Sequence, residues 1–230
     1  MHVSKERIQA ELTKLLLSPY PGHISMVYET GISPYVSETF HQVYCRKDGG
    51  GLEDGQQQEC EDWKPFLGIP PIPVQVPPVR HMRWAAFLRK CMPDEAVKIL
   101  KDLKLDNDTI NRVRTLISWQ DYGLGPDKYS IRIAMSRMEP DLFDDLLEFR
   151  MCLSEAGARQ DLAHTALLVD EIRRAGDCIS LKTLAVGGND IIKAGIRPGR
   201  EVGLTLARLL EMVLEEPARN TKEYLLQHLV

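Results

Sequence analysis

The chain has 230 residues, of which 43% are hydrophobic, so it can bury one large core or two smaller ones. Its formal net charge of −4 at pH 7 argues against a uniformly basic nucleic-acid binder. It contains no run of about 18 apolar residues and no N-terminal targeting pattern. We therefore expect a soluble, cytoplasmic protein that does not contact a membrane.

The first 45 residues predict a series of helices. Ser4 is placed to cap a helix whose apolar residues recur at helical spacing, and the proline-rich stretch at 18–22 ends it. A second helical segment reaches Gly31, and a third follows Ser33 and Pro34. We predict that residues 1–45 form one all-helical segment.

Residues 46–79 differ in composition from the rest of the chain. Residues 46–62 contain two basic and six acidic residues among several glycines, and residues 64–78 contain six prolines. Proline removes a backbone donor, so the proline-rich part cannot be helical. The whole stretch is also long for a loop inside a compact domain, so we predict a linker or an exposed excursion.

Helical patterns return at residue 80 and continue to the end of the chain. Further helix starts are indicated by Pro93, by Asp106 or Asn107, by Pro126 and by Pro140. No strict repeat period is present, which favours an irregular helical array over a solenoid. We predict an all-α fold with a helical segment over 80–180 and another over 181–230.

The sequence offers no recognisable catalytic or metal-binding constellation. It has no P-loop, G-x-S-x-G, H-E-x-x-H or strand followed by G-x-G-x-x-G, and its six histidines are isolated. No Cys-x-x-Cys pair occurs, which favours reduced thiols over a zinc site. The five cysteines are Cys45, Cys60, Cys91, Cys152 and Cys178. We predict no catalytic residue, no metal site and no cofactor in this chain.

A basic, glycine-edged turn lies near the end of the chain. Residues 182–208 contain five basic and two acidic residues. Gly195 can end a short helix, and Pro198 stands where a first helical residue is favoured. The N–H groups of Gly199, Arg200 and Glu201 would then point out of a new helix N-terminus.

Such a helix start can bind a phosphate, because Gly199 leaves room and charge surrounds it. The predicted RNA-binding residues are Lys193, Arg197, Gly199 and Arg200. The alternative is that the turn only joins two packed helices. In that case the glycines serve turn geometry and close helix crossing, and the arginines are solvated.

Both ends of the chain resemble a known family. The stretches VSKERIQAELTKLLLS, YETGISPYV and LAVGGNDIIKAGIRPGREVGLTLARLLEMVLEEPARNTKEYLLQHL resemble the C-terminal half of bacterial class II CCA-adding tRNA nucleotidyltransferases, of the poly(A) polymerase family. The resemblance implies a helical neck (1–45), body (80–180) and tail (181–230) that hold tRNA. It also implies that Arg7 and Glu11 belong to a neck motif that braces the nucleotide pocket, although an ordinary surface pair is the alternative.

The resemblance further implies a catalytic head domain in the same polypeptide. In this family the head holds magnesium and adds CTP and ATP to the tRNA end, which requires metal-binding carboxylates. We find no such set in these 230 residues. We therefore expect this chain alone to add no nucleotides, and its natural partners to be tRNA and the head, with no role for DNA.

Family members with an active phosphohydrolase site keep His-Asp at the end of one body helix. Here the matching residues are Arg89 and Lys90, and two cations cannot ligate a cation. The resemblance thus implies a degenerate HD-like body without metal, and argues against a phosphohydrolase. The alternative function is a helical protein-interaction module whose 46–79 excursion binds a partner.

Overall fold

The computed structural model describes residues 3–44 and 70–229, and within those ranges it contains helices, turns and no strand. The predicted all-α class is confirmed. The chain divides into two compact units, one built from residues 1–122 and 148–153 and the other from residues 123–147 and 154–230. Among the described residues, no helix is both long and apolar enough to cross a membrane.

The first unit contains seven helices and a short 3₁₀ turn among its described residues. They are α1 (Lys5–Leu17), the 3₁₀ turn Pro21–Ser25, α2 (Met26–Glu29), α3 (Ser33–Val36), α4 (Glu38–Tyr44), α5 (Arg80–Leu88), α6 (Pro93–Asp102) and α7 (Asn107–Trp119). The second unit contains α8 (Lys128–Ser136), α10 (Ala156–Ala175), α11 (Gly188–Lys193), α12 (Arg200–Glu215), the 3₁₀ turn Pro217–Arg219 and α13 (Lys222–Gln227). Helix α9 (Pro140–Leu153) contributes to both units.

Several helix starts follow from local capping chemistry. The Ser4 hydroxyl accepts the backbone N–H of Arg7, and the Asp106 carboxylate accepts that of Thr109 at 2.8 Å. The Ser4 cap was predicted, and Asp106 is one of the two candidates, Asp106 and Asn107, that the sequence left open. Helix α8 begins at Lys128 rather than at the predicted Pro126, because the Asp127 carboxylate provides its cap.

The third predicted helix is divided in two. Ser37 has extended backbone angles, with φ −168° and ψ 143°, so α3 ends at Val36 and α4 starts at Glu38. The Ser37 hydroxyl accepts the backbone N–H of Phe40, which satisfies a donor at the new helix start. Helical spacing of the apolar residues alone does not reveal such a break.

Aromatic side chains form the core of the first unit. Phe40 stacks on Tyr28 with ring centroids 5.1 Å apart and lies 5.6 Å from Phe87. Trp84 is fully buried, and its indole N–H donates to the Thr13 hydroxyl at 3.1 Å. These contacts hold α1, α4 and α5 together.

Residues 46–69 of the predicted excursion at 46–79 lie outside the described residues. Cys45 and Cys60 lie outside them too. Residues 70–79 are described and contain no helix, in agreement with their prolines. Ile72 and Val76 from this segment are buried in the first unit. The division of the chain at 45, 79 and 180 stays a prediction.

Candidate nucleic-acid interface

A small apolar core supports the basic turn in the second unit. Its buried residues come from α11, α12, α13 and the segment before them: Cys178, Leu184, Val186, Ile191, Leu209, Val213 and Leu225. Ile191 of α11 and Leu209 of α12 are completely buried. The turn between α11 and α12 therefore has both of its helices anchored in one core.

Asp190 fixes the start of α11. One carboxylate oxygen accepts the backbone N–H of Gly187 at 3.0 Å, and the other accepts the ammonium of Lys222 at 2.6 Å. The pKa of Asp190 is held below its usual value mainly by the hydrogen bond from the Gly187 N–H and, to a lesser extent, by the bond from Lys222. The first residue of α13 is thereby tied to the first turn of α11.

The end of α11 has the geometry of a Schellman motif. The N–H of Gly195 donates to the carbonyl of Ile192 at 3.0 Å, and that of Ile196 donates to Ile191 at 3.2 Å. Gly195 has φ 104°, a conformation that residues with a side chain rarely adopt. The prediction that Gly195 ends this helix is confirmed.

Helix α12 starts two residues later than predicted. Gly199 has φ 120° and ψ −144°, which no helical residue adopts, so it is the N-cap and Arg200 is the first helical residue. Pro198 therefore precedes the cap instead of opening the helix. The N–H groups of Arg200 and Glu201 have no backbone acceptor among the described residues, whereas Val202 donates to the Gly199 carbonyl at 3.2 Å.

Three cations lie at or shortly before this helix start in the sequence. Lys193, Arg197 and Arg200 are all exposed, and none of them forms an ion pair with a described residue. Arg208, farther along α12, differs because it donates to the carbonyl of His228 at 2.9 Å. Glu201 is an exposed acid in the first turn of α12, so the local charge is positive but not exclusively so.

Close packing against another helix does not explain why a glycine, Gly203, stands in the first turn of α12. Gly203 is exposed, and a Cβ atom built on it would have no atom of a described residue within 4 Å. At Gly188 a Cβ would lie 3.4 Å from Val202, an ordinary contact distance. The open space at Gly203 is compatible with the close approach of a ligand.

Arg132 holds the other end of α12, and sequence reasoning did not identify it. Its guanidinium is buried and donates to the carbonyls of Leu214 and Glu215 at 2.6 and 3.0 Å. It also pairs with Asp177 at 3.0 Å. An arginine on an otherwise apolar helix face was the available signal, but its partners lie 45 to 83 residues away in sequence.

Arg7 and Glu11 lie on α1 beside a groove in the first unit. The groove has a volume of about 1000 Å³ and is lined mostly by apolar residues of α1, α2 and α3. Arg7 and Glu11 are exposed on its wall and form no ion pair with each other. The structure places Arg7 and Glu11 as neighbours on one face of α1. The four residues of the basic turn belong to the second unit.

Arg89 and Lys90, which the resemblance matches to the His-Asp pair, directly follow α5. Arg89 donates to the Ala86 carbonyl at 2.8 Å, and its own carbonyl accepts the amide of Gln120 at 2.7 Å. Burial lowers the pKa of Arg89 from its usual value. In the described parts of the chain, no three His, Cys, Asp or Glu residues are arranged to hold a metal ion.

Two protein families match the chain. Residues 79–229 match a family described as "tRNA nucleotidyltransferase domain 2 putative". The chain belongs to this tRNA nucleotidyltransferase domain 2 family. Residues 1–42 match a second family, described as "Probable RNA and SrmB- binding site of polymerase A".

Two curated proteins are similar along nearly the whole chain. "CCA tRNA nucleotidyltransferase 1, mitochondrial" from Danio rerio is 28% identical over 99% of this chain and 46% of its own length. The "CCA-adding enzyme" of Geobacillus kaustophilus (strain HTA426) is 25% identical over 96% of this chain and 49% of its own length. The chain thus spans about half the length of these relatives. No solved structure gives a significant match.

Proposed function

We propose that this chain is the tRNA-holding region of a CCA-adding tRNA nucleotidyltransferase of the bacterial class II type. One observation carries the proposal: Lys193, Arg197 and Arg200 lie at or shortly before the first residue of α12 in the sequence, exposed and without ion pairs to described residues. Family membership and the names of the two relatives support tRNA as the bound molecule.

The turn would bind the RNA backbone and not read its sequence. The free N–H groups of Arg200 and Glu201 and the positive end of the helix dipole favour a phosphate, and the absence of a side chain at Gly199 lets it approach. Contacts of this kind fix the position of a nucleic acid but carry no base information. Recognition of the acceptor stem and elbow by shape would follow.

Nucleotide addition would belong to a head domain in the same polypeptide. Magnesium-dependent transfer from CTP and ATP requires clustered carboxylates that hold the metal. The described residues of this chain do not fit that requirement, because they contain no cluster of three potential ligands. The greater length of the relatives leaves room for a further domain, so we assign catalysis there and none to this chain.

The groove beside α1 would contact that head domain. Its wall is apolar, and Arg7 and Glu11 stand at its edge as an exposed cation and an exposed acid. Since these two side chains do not pair with each other, both are available to groups of a neighbouring domain. This is the role that the resemblance assigns to the neck motif.

A helical protein-interaction module is the second candidate. The specific observation in its favour is the apolar exposure around the same groove, where Val3, Ile32 and Tyr35 are 54%, 50% and 78% exposed. Such exposure also suits contact with a head domain, so the groove alone does not distinguish the two functions. Binding to tRNA does.

The test is filter binding of tRNA lacking its CCA end, measured over a series of salt concentrations. We expect wild-type protein to bind, and the Arg197→Ala/Arg200→Ala variant to bind more weakly. The slope of log K against log salt should flatten by about 0.7 to 0.9 for each phosphate that the variant no longer neutralises. The matched control is Arg112→Ala/Arg114→Ala, which removes two α7 cations from partly exposed ion pairs with Asp108 and Asp94.

Two results would reject the proposal. Wild-type protein that does not bind tRNA at low salt would remove the function itself. An unchanged slope in Arg197→Ala/Arg200→Ala, equal to that of the control, would return the turn to a purely structural role.

A further inference from the structure

A small polar cleft lies in the first unit and shares Lys5 with the groove beside α1. We call it the lysine cleft, and it has a volume of about 490 Å³. Its six lining residues are all polar: Lys5, Ser37, Glu38, Lys101, Asp102 and Lys104. Three of the six carry an ammonium group. None of the six is aromatic, so the cleft itself offers no ring on which a base could stack.

Backbone carbonyls hold the Lys5 ammonium at the cleft. Its Nζ donates to the carbonyl oxygens of Val36, at 2.5 Å, and Tyr35, at 3.4 Å. An ammonium has three N–H donors, so one remains for a further acceptor. Lys5 thus contributes a positioned cation whose charge is not neutralised by a carboxylate of a described residue.

The two acids of the cleft are occupied by neutral donors. The Asp102 carboxylate accepts the hydroxyls of Ser37 at 3.1 Å and Thr39 at 3.4 Å. Glu38 accepts the side-chain amide of Gln42 at 3.2 Å. Lys101 and Lys104 are exposed and form no ion pair with a described residue, although carboxylates line the same cleft.

The backbone of Lys104 has a left-handed conformation. It has φ 62°, and among the described residues no other non-glycine residue has a positive φ. Lys104 completes a Schellman motif at the end of α6, where its N–H donates to Lys101 and that of Leu105 donates to Leu100, both at 3.0 Å. Glycine is the favoured residue at this position, so the motif accounts for the left-handed backbone of Lys104.

We propose that the lysine cleft binds a phosphate group. The group could belong to the backbone of RNA or to a free nucleotide, and the lack of an aromatic lining residue favours the backbone. Three ammonium groups and two carboxylates line a space large enough for a phosphate, and each carboxylate already accepts a hydrogen bond from a neutral donor. If the phosphate belongs to RNA, the inference rests on the proposed function and adds an RNA contact on the first unit. If the phosphate belongs to a free nucleotide, the inference does not depend on the proposed function.

The test uses the variant Lys101→Ala/Lys104→Gly of the full chain. Glycine suits the backbone at position 104, so this variant is expected to keep the fold, which circular dichroism checks. The matched control is Lys14→Ala/Lys90→Ala, which removes two exposed lysines of the same unit that do not line the cleft. Binding of tRNA is measured by filter binding, and binding of pyrophosphate and ATP by equilibrium dialysis.

We expect the cleft variant to bind tRNA about fivefold more weakly than the control for each phosphate that it no longer neutralises, with a salt slope reduced by about 0.7 to 0.9. Loss of pyrophosphate or ATP binding with unchanged tRNA binding would also support the cleft, with a free nucleotide as the source. Equal binding of all three ligands by variant and control would overturn the inference. If wild-type protein binds no tRNA, the proposed function fails, and the pyrophosphate and ATP measurements decide the cleft alone.

Discussion

Replacement of Arg132 by methionine should strongly destabilise the second unit. The guanidinium is buried and makes three charge-assisted hydrogen bonds, to the carbonyls of Leu214 and Glu215 and to the carboxylate of Asp177. Methionine fills a similar volume but donates none of them. The variant therefore keeps the packing and removes the polar contacts.

The magnitude follows from what the substitution leaves behind. Asp177 is only 12% exposed, so its carboxylate would remain buried without its cation. Removing one partner of a buried ion pair costs about 3–5 kcal/mol. For a chain of this size, each kcal/mol corresponds to about 2–4 °C in the melting temperature, so we expect a decrease of about 6–20 °C.

The assay is thermal and urea unfolding followed by circular dichroism. Arg173→Met is the control, because Arg173 pairs with Asp144 at 2.8 Å but both side chains are partly exposed, and such pairs contribute at most about 1 kcal/mol. The double variant Arg132→Met/Asp177→Asn should recover part of the loss, since the buried charge is then removed. A loss in Arg132→Met no larger than that in Arg173→Met would refute the reasoning.

Two further predictions concern single residues. Lys104→Gly should raise the free energy of unfolding by about 1 kcal/mol, because it removes a left-handed conformation from a residue with a side chain; an equal or lower urea midpoint would contradict this. Asp190 has its pKa lowered by the Gly187 N–H, Lys222 and, at longer range, Lys193, so its contribution to stability is present above the unfolded-state value of about 3.9. That contribution disappears as pH falls through the lower folded-state pKa. The difference in urea midpoint between wild type and Asp190→Asn should therefore shrink below about pH 4, and a constant difference from pH 7 to pH 2 would exclude this linkage.

Features encoded within a few residues could be predicted from the sequence. The all-α class, the caps at Ser4 and Asp106, the start of α6 at Pro93 and the end of α11 at Gly195 all depend on local hydrogen bonds and local backbone preference. The predicted start of α12 at Pro198 is wrong for an equally local reason, the backbone conformation of Gly199. Proline is common as a first helical residue, but the positive φ of the following glycine excludes a helix start before it.

Features that depend on distant residues could not be predicted. The contacts of Arg132 join positions up to 83 residues apart, and the lysine cleft joins α1 to the end of α6. No periodicity or motif in the sequence indicates which distant segments pack together. The four predicted turn residues are held in place by α11 and α12, which pack into one small core. The sequence does not indicate that packing.

Ion pairing separates the cations that support the second unit from those that are available to a ligand. Arg132, Arg173 and Lys222 each pair with a carboxylate of the same unit, whereas no such pair is found among the described residues for Lys193, Arg197 and Arg200. An exposed arginine without partners contributes little to folding, so Arg197→Ala/Arg200→Ala should unfold at nearly the wild-type temperature. Weaker tRNA binding by that variant would then reflect the removal of a direct interaction with RNA and not unfolding of the protein. The same logic makes Arg132→Met a poor probe of binding, because its effect on α12 is inseparable from its effect on stability.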